Sequence, residues 1–198
     1  SLEEDFSDPS EVIAGDMDGD GDVDVVASGR GHVYWYENGG TENFTPHLLF
    51  DPMDWAGSSW HQIDVKDMDG DGDLDVVSGF GSRVTWHENN NAQFINHSIV
   101  TAGRCGDLLA NDMDADGDMD IVCIGYDLLW FENNGSQEFS TLQIDDELSN
   151  SAWSRRAVES ADVDGDGDID LLVSTDEDKV YWYENQQFNC SPGLTGDY

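Results

Sequence analysis

The stretch DMDGDGDVD at Asp16–Asp24 returns three times almost unchanged, as DMDGDGDLD at 67–75, DMDADGDMD at 112–120 and DVDGDGDID at 162–170. Five carboxylates within nine residues repel one another strongly in a compact chain. A solvated acidic face would scatter its charges rather than repeat one spacing four times. The composition fits a hard cation, because Ca²⁺ takes about six to eight oxygen ligands from carboxylates, backbone carbonyls and water. Positions 1, 3, 5 and 9 offer side chains: Asp16, Asp18, Asp20 and Asp24, then Asp67, Asp69, Asp71 and Asp75. The third and fourth loops offer Asp112, Asp114, Asp116 and Asp120, then Asp162, Asp164, Asp166 and Asp170. Gly21, Gly72, Gly117 and Gly167 stand at position 6, where the chain turns sharply around the ion. Asp22, Asp73, Asp118 and Asp168 at position 7 are expected to give their main-chain carbonyls and point their side chains outward. Four Ca²⁺ sites are therefore predicted. Mg²⁺ fits less well, since it keeps its waters and a rigid octahedron. Zinc favours His and Cys, which these loops lack.

Two other calcium architectures fail on the flanking sequence. An EF-hand closes with Glu at position 12 and lies between helices, whereas position 12 here is Ala27, Ser78, Cys123 and Val173. Nonapeptide calcium arrays repeat every nine residues, whereas these loops start 51, 45 and 50 residues apart. Outward from each loop the chain runs into a short apolar stretch, Val25-Val26, Val76-Val77, Ile121-Val122 or Leu171-Leu172. An aromatic strand ending in Glu-Asn follows: YWYEN at 34–38, TWHEN at 85–89, LWFEN at 129–133 and YWYEN at 181–185. Phe44, Phe94, Phe139 and Phe188 then begin another alternating stretch, and one more strand precedes each loop. Short strands rich in Val, Ile, Tyr and Trp, with Gly and Asn between them and no sustained helical period, predict an all-β fold.

A repeat near fifty residues with four strands predicts a β-propeller of four blades, at about 10–60, 61–106, 107–155 and 156–198 plus 1–9. Counting from Asp162 through the C-terminus and on from Ser1 to Asp16 gives 52 positions, the same period. Residues 1–198 are thus expected to form one domain, a ring closed by strands from both chain ends. The alternatives are a four-blade fragment of a larger propeller and an intermolecular assembly. The DxDGDGDxD loops with their WxEN strands resemble FG-GAP/VCBS-type repeats, the calcium-binding blades also found in integrin α-subunit heads. The resemblance spans nearly the whole chain. It implies Ca²⁺ held in a hairpin loop between the first two strands of each blade, and adhesive or carbohydrate-associated roles at the cell surface or outside the cell, without catalysis. Rings of that family commonly have about seven larger blades.

The remaining composition narrows the partners. With 44 acidic and 7 basic residues the formal charge is −37, which argues against nucleic acid. No apolar run is long enough to cross a bilayer, and 38% hydrophobic residues with seven Trp indicate a folded core. The four repeated indoles, Trp35, Trp86, Trp130 and Trp182, are expected to pack between blades. Trp55, Trp60, His61, Trp153, Arg155 and Arg156 lie in the longer connections, where binding residues concentrate, and form the candidate ligand patch for a glycan or protein partner. No hydrolase or phosphate-loop motif is present, so no enzyme is expected; a carbohydrate-active accessory enzyme is the residual alternative. Cys123 reads as a small buried apolar residue, while Cys105 and Cys190 are open to pairing with each other or with a neighbouring molecule. Asn43, Asn96, Asn134 and Asn189 head Asn-x-Ser/Thr sequons, one per repeat, as candidate glycosylation sites. The chain starts without Met or a leader, as expected of a processed or excised domain. The whole reads as a secreted, calcium-stabilised module for adhesion, binding or assembly; the alternative is a subunit of an extracellular coat or filament.

Overall fold

The computed structural model describes residues 9–29, 31–41, 43–51, 61–100, 104–146, 148, 156–175, 179–186 and 189–190. All regular structure among them is β. The chain divides into two compact units, Ser1–Val100 and Thr101–Tyr198.

The first unit holds two four-stranded antiparallel sheets with strands in chain order. One comprises β1 (Pro9–Gly15), β2 (Asp24–Gly29), β3 (His32–Asn38) and β4 (Phe44–Phe50). The other comprises β5 (His61–Lys66), β6 (Asp75–Phe80), β7 (Arg83–Asn89) and β8 (Phe94–Val100). In the second unit β9 (Cys105–Asn111), β10 (Asp120–Gly125), β11 (Leu128–Asn133) and β12 (Phe139–Asp145) make a third such sheet. There, too, β13 (Ala157–Ala161), β14 (Asp170–Ser174) and β15 (Val180–Tyr183) form a three-stranded sheet, and the short β16 (Asn185–Gln186) and β17 (Asn189–Cys190) pair alone. In each of the four larger sheets the Asp-rich loop joins the first two strands, and the Asp at loop position 9 opens the second one.

The pattern of burial follows strand position. β6 and β10 are buried at every residue, as expected of strands covered on both faces, which read as continuous apolar runs. β4 is largely exposed and forms the sheet's edge, where Pro46 removes no central-ladder donor. Cross-strand register sets each repeated indole opposite an aliphatic residue: Trp35 opposite Val26, Trp86 opposite Val77, Trp130 opposite Val122 and Trp182 opposite Leu172.

Each unit has a core shared by its two larger sheets. In the first, Met17, Val26, Val33 and Trp35 meet Ile63 and Val76, and Trp35 tilts against Phe94 at 5.7 Å. In the second, Leu109, Met113, Val122 and Trp130 meet Val158, Leu171, Val173 and Tyr183. Trp35, Trp86 and Trp130 are buried, which is the packing role expected of them; Trp182 is only half-buried. His47 and His97 stack on Trp35 and Trp86 at 4.5 and 4.6 Å, so they too serve the sheets. Two expectations are corrected. Cys123 bonds covalently to Cys105 within the same sheet, so Cys123 is not simply a small apolar residue and Cys105 is not open to pairing with Cys190 or a neighbouring molecule. Strand register brings the two sulfurs together, and linear spacing does not reveal that register.

Candidate metal centres

Each Asp loop is built on its own side chains. The first Asp accepts the N–H of the position-6 glycine: Asp16 from Gly21 at 3.1 Å, Asp67 from Gly72 at 3.0 Å, Asp112 from Gly117 at 3.0 Å and Asp162 from Gly167 at 3.2 Å. The third Asp accepts from the fifth residue's N–H, and the fifth from the seventh's, in all four copies. Such side-chain-to-backbone bonds let Asp close tight turns on itself. The position-6 glycines take φ between 94° and 100°, a left-handed conformation that Cβ disfavours. Position 4 requires it as well, and there the third loop departs: Ala115 sits at φ 59°, where the other copies have glycine.

The ninth Asp is the anchor. Asp24, Asp75, Asp120 and Asp170 are wholly buried. One oxygen of each accepts the N–H of loop position 2, from Met17, Met68, Met113 and Val163 respectively, at 2.9–3.1 Å. The other accepts the main-chain N–H of the Asn that ends the aromatic strand, from Asn38, Asn89, Asn133 and Asn185, at 2.7–2.8 Å. Trp35 adds its indole N–H to Asp24 at 3.0 Å. Burial pushes the carboxyls of Asp75 and Asp120 up to about 7, against the opposing pull of those N–H donors. Asp18, Asp69 and Asp114 are also raised, first by burial and then in part by neighbouring carboxylates. A nearby cation would reverse this by favouring the charged forms.

Carboxylate oxygens of Asp16, Asp18 and Asp24 lie within 4.8 Å of one another, as do those of Asp67, Asp69 and Asp71, of Asp112, Asp114 and Asp120, and of Asp162, Asp164 and Asp166. Two oxygens at Ca²⁺ bonding distance, about 2.3–2.6 Å each, stand at most about 5 Å apart, so each set fits one ion. A second observation supports the fit. Oδ1 of Asp16 and Oδ1 of Asp67 are buried with no hydrogen-bond partner among the described residues, and an unpaired buried carboxylate oxygen is costly. An all-oxygen donor set of this kind suits calcium. The position-7 side chains do not simply point outward: Asp73 accepts the N–H of Asn91 at 2.8 Å, and Asp22 and Asp118 press against Gly40 and Gly135 in the equivalent turns.

Sequence reasoning missed the apolar residue at loop position 2. Met17, Met68 and Met113 are almost fully buried and tie each loop to the core, whereas Val163 is 45% exposed. It also missed the Asn of the WxEN strands as a bonding partner. The signal was there, since both residues recur in register with the loops.

Of the candidate ligand patch, His61 opens β5 and Arg156 precedes β13, while Trp55, Trp60, Trp153 and Arg155 lie outside the described residues. Asn43 and Asn134 are exposed sequon residues next to turns, and Ser136 donates its N–H to Asn134 at 2.9 Å. Asn96 is exposed but bonded to His87, and Asn189 lies in β17. A Ser-His-Asn relay also exists: Ser78 Oγ lies 2.8 Å from His87 Nε2, and His87 Nδ1 lies 2.7 Å from Asn96 Oδ1. It has the connectivity of a nucleophile and its base, but Ser78 and His87 are 2% and 0% exposed. No substrate reaches that hydroxyl.

Residues 16–78, 67–123 and 112–173 each match the family described as FG-GAP-like repeat. No curated protein matches the chain. Among solved structures, a lectin of Agrocybe aegerita, described for specific recognition of non-reducing terminal N-acetylglucosamine, shares the fold with a TM-score of 0.60 at 22% identity. The alignment covers 85% of this chain and 48% of the lectin, so the chain spans about half the length of that structure.

Proposed function

This chain belongs to the FG-GAP-like repeat family, and on that premise we propose that it is a secreted, calcium-stabilised β-propeller module that binds glycan or protein partners and does no chemistry on them. The observation that carries the reading is the fourfold recurrence of one carboxylate cradle in one hairpin, with buried Asp16 and Asp67 oxygens left unpaired. Asp16, Asp18, Asp20 and Asp24, with the carbonyl of Asp22, would hold the ion in the first loop, and their counterparts would do so in the others. A bound ion supplies positive charge where carboxylates crowd, and this chain's residues fix its place through the glycine turn and the buried ninth Asp.

Extracellular calcium modules bind at dissociation constants of about 10⁻⁴ to 10⁻³ M. At tenfold excess each site adds about 1.4 kcal/mol to the native state, so four sites supply a sizeable part of an ordinary domain's ~5–15 kcal/mol. Native mass spectrometry in calcium should find four ions per chain, and EDTA should sharply lower the melting temperature. A metal-free chain with unchanged melting in EDTA would defeat the reading.

The partner reading draws support from the lectin likeness together with Trp60 and Trp153 of the sequence, whose indoles suit sugar faces. Glycans with terminal N-acetylglucosamine are the first probes to array, and an empty array would favour a protein partner. We propose a ring closed by both chain ends. A larger or multi-chain ring is the second reading, favoured by the match to about half of the lectin. Sedimentation at high concentration in calcium separates the two: a monomer supports the closed ring.

A further inference from the structure

The calcium loops within each unit are joined by a buried bond between sheets. Asn89, at the end of β7, donates one side-chain N–H to Leu74 O at 3.0 Å in its own loop. It donates the other to Met17 O at 2.6 Å, 72 residues away in the neighbouring loop. Its main-chain N–H is held by Asp75 at 2.7 Å, and the N–H of Met17 is held by Asp24 at 3.0 Å. An unbroken line of hydrogen bonds thus runs from the ninth Asp of the second loop to the ninth Asp of the first. The second unit repeats it independently. Asn185 donates to Ile169 O at 3.1 Å and to Met113 O at 2.7 Å, again 72 residues away, while its N–H is held by Asp170 at 2.8 Å and that of Met113 by Asp120 at 3.0 Å. Both asparagine side chains are buried, at 0% and 5% exposure.

We infer that Asn89 and Asn185 are positioning residues that couple cation binding in pairs, the first loop with the second and the third with the fourth. The inference rests on the calcium reading above. The peptide of Met17 lies between two ligand residues, Asp16 and Asp18. An ordered first loop therefore presents the Met17 carbonyl in a fixed direction, and Asn89 uses that carbonyl to hold the strand end on which Asp75 depends. Whichever loop fills first orders part of the other, so the second ion meets a smaller ordering loss. Coupling is reciprocal and commonly spans about 5- to 150-fold. Carried by one peptide hydrogen bond, it belongs near the low end, about five- to tenfold.

The test uses the full chain with Asp112→Asn and Asp162→Asn, which disable the second unit's loops, titrated with Ca²⁺ alone and read by native mass spectrometry. Two independent equal sites leave about half the molecules with one ion at half-saturation, and tenfold coupling cuts that share to about a quarter. The depleted single-ion state is expected in this background, and Asn89→Ala should restore it. Asn96→Ala is the control for lost structure, because Asn96 also bridges the two sheets, to Leu49 O at 3.4 Å, but away from the loops; the depletion should survive it. Should Asn89→Ala not fold, adding Asp67→Asn to the background instead leaves the first loop alone, and it should bind about five- to tenfold more weakly than the intact pair binds its second ion. Statistical filling of the pair, or equal affinity of the lone loop, overturns the coupling while leaving the calcium reading intact. Absence of any bound ion overturns both.

Discussion

His87 should make stability fall with acid in a way that one substitution removes. Its ring is fully buried, its Nδ1 pairs with Asn96 Oδ1 at 2.7 Å and its Nε2 with Ser78 Oγ at 2.8 Å. The carbonyl oxygen of Asn96 can only accept, so Nδ1 carries a proton, and in the neutral ring that burial favours Nε2 accepts from the serine hydroxyl. Burial lowers its pKa from 6.5 to about 4, against a smaller upward pull from Asn96. Because the folded value lies below the unfolded one, the unfolded chain takes up the proton first. Stability is whole above about pH 6.5 and is lost as pH falls toward 4. A full separation of that size corresponds to about 3 kcal/mol, of which about 2 kcal/mol is gone by pH 5. Phe stands at the matching place in the third repeat, Phe131, so His87→Phe fits the strand. The variant leaves Ser78 unpaired and should lose about 1–3 kcal/mol at pH 8. Its further loss between pH 8 and pH 5, by urea denaturation in saturating calcium, should be about 2 kcal/mol smaller than that of the parent chain. Carboxylate titration is common to both and cancels. Parallel losses in the two proteins would refute a neutral buried His87.

Met68→Ala should cost about 2–5 kcal/mol, because its side chain is 1% exposed beneath the loop, whereas Val163→Ala at the same loop position, 45% exposed, should cost under about 1 kcal/mol; equal losses in denaturant melts would contradict the plug role. Gly125→Ala should prevent the third sheet from closing, since a Cβ there would lie 1.4 Å from the carbonyl oxygen of Arg104 at the irregular pairing beside Cys105. Its circular dichroism should show lost strand signal, and a native-like melt would contradict the register. Two of the three cysteines should resist alkylation until reduction, and Cys105→Ser should lower stability by about 3 kcal/mol for a link across 18 residues; full alkylation of the unreduced native chain would rule the bridge out.

The repeated nonapeptides and WxEN strands made much of the architecture legible, because both are local. A strand's alternation, a glycine's left-handed turn and an Asp closing a loop on its own backbone are decided within about ten residues. That is why four sheets, the hairpin position of every loop and the buried role of Trp35, Trp86 and Trp130 follow from reading the chain alone. Position 4 escaped notice because Ala115 masks the glycine rule in one copy. The double duty of the ninth Asp also escaped, because a ligand and a buried acceptor of N–H bonds look alike as a letter in a motif.

The amino-acid order by itself determined where strands form, where charge concentrates and which oxygens are offered to a cation. Only the tertiary structure decided that Met17 plugs a core, that Asn89 reaches the carbonyl of Met17, that Cys105 meets Cys123, and that Ser78 and His87 of a Ser-His-Asn relay lie buried within one sheet. Those pairings join residues whose separation along the chain ranges from nine positions for Ser78 and His87 to 72 for Met17 and Asn89. They arise from sheet register and from packing of one sheet on the next, which sum many weak contacts across the fold and leave no periodic mark in the chain.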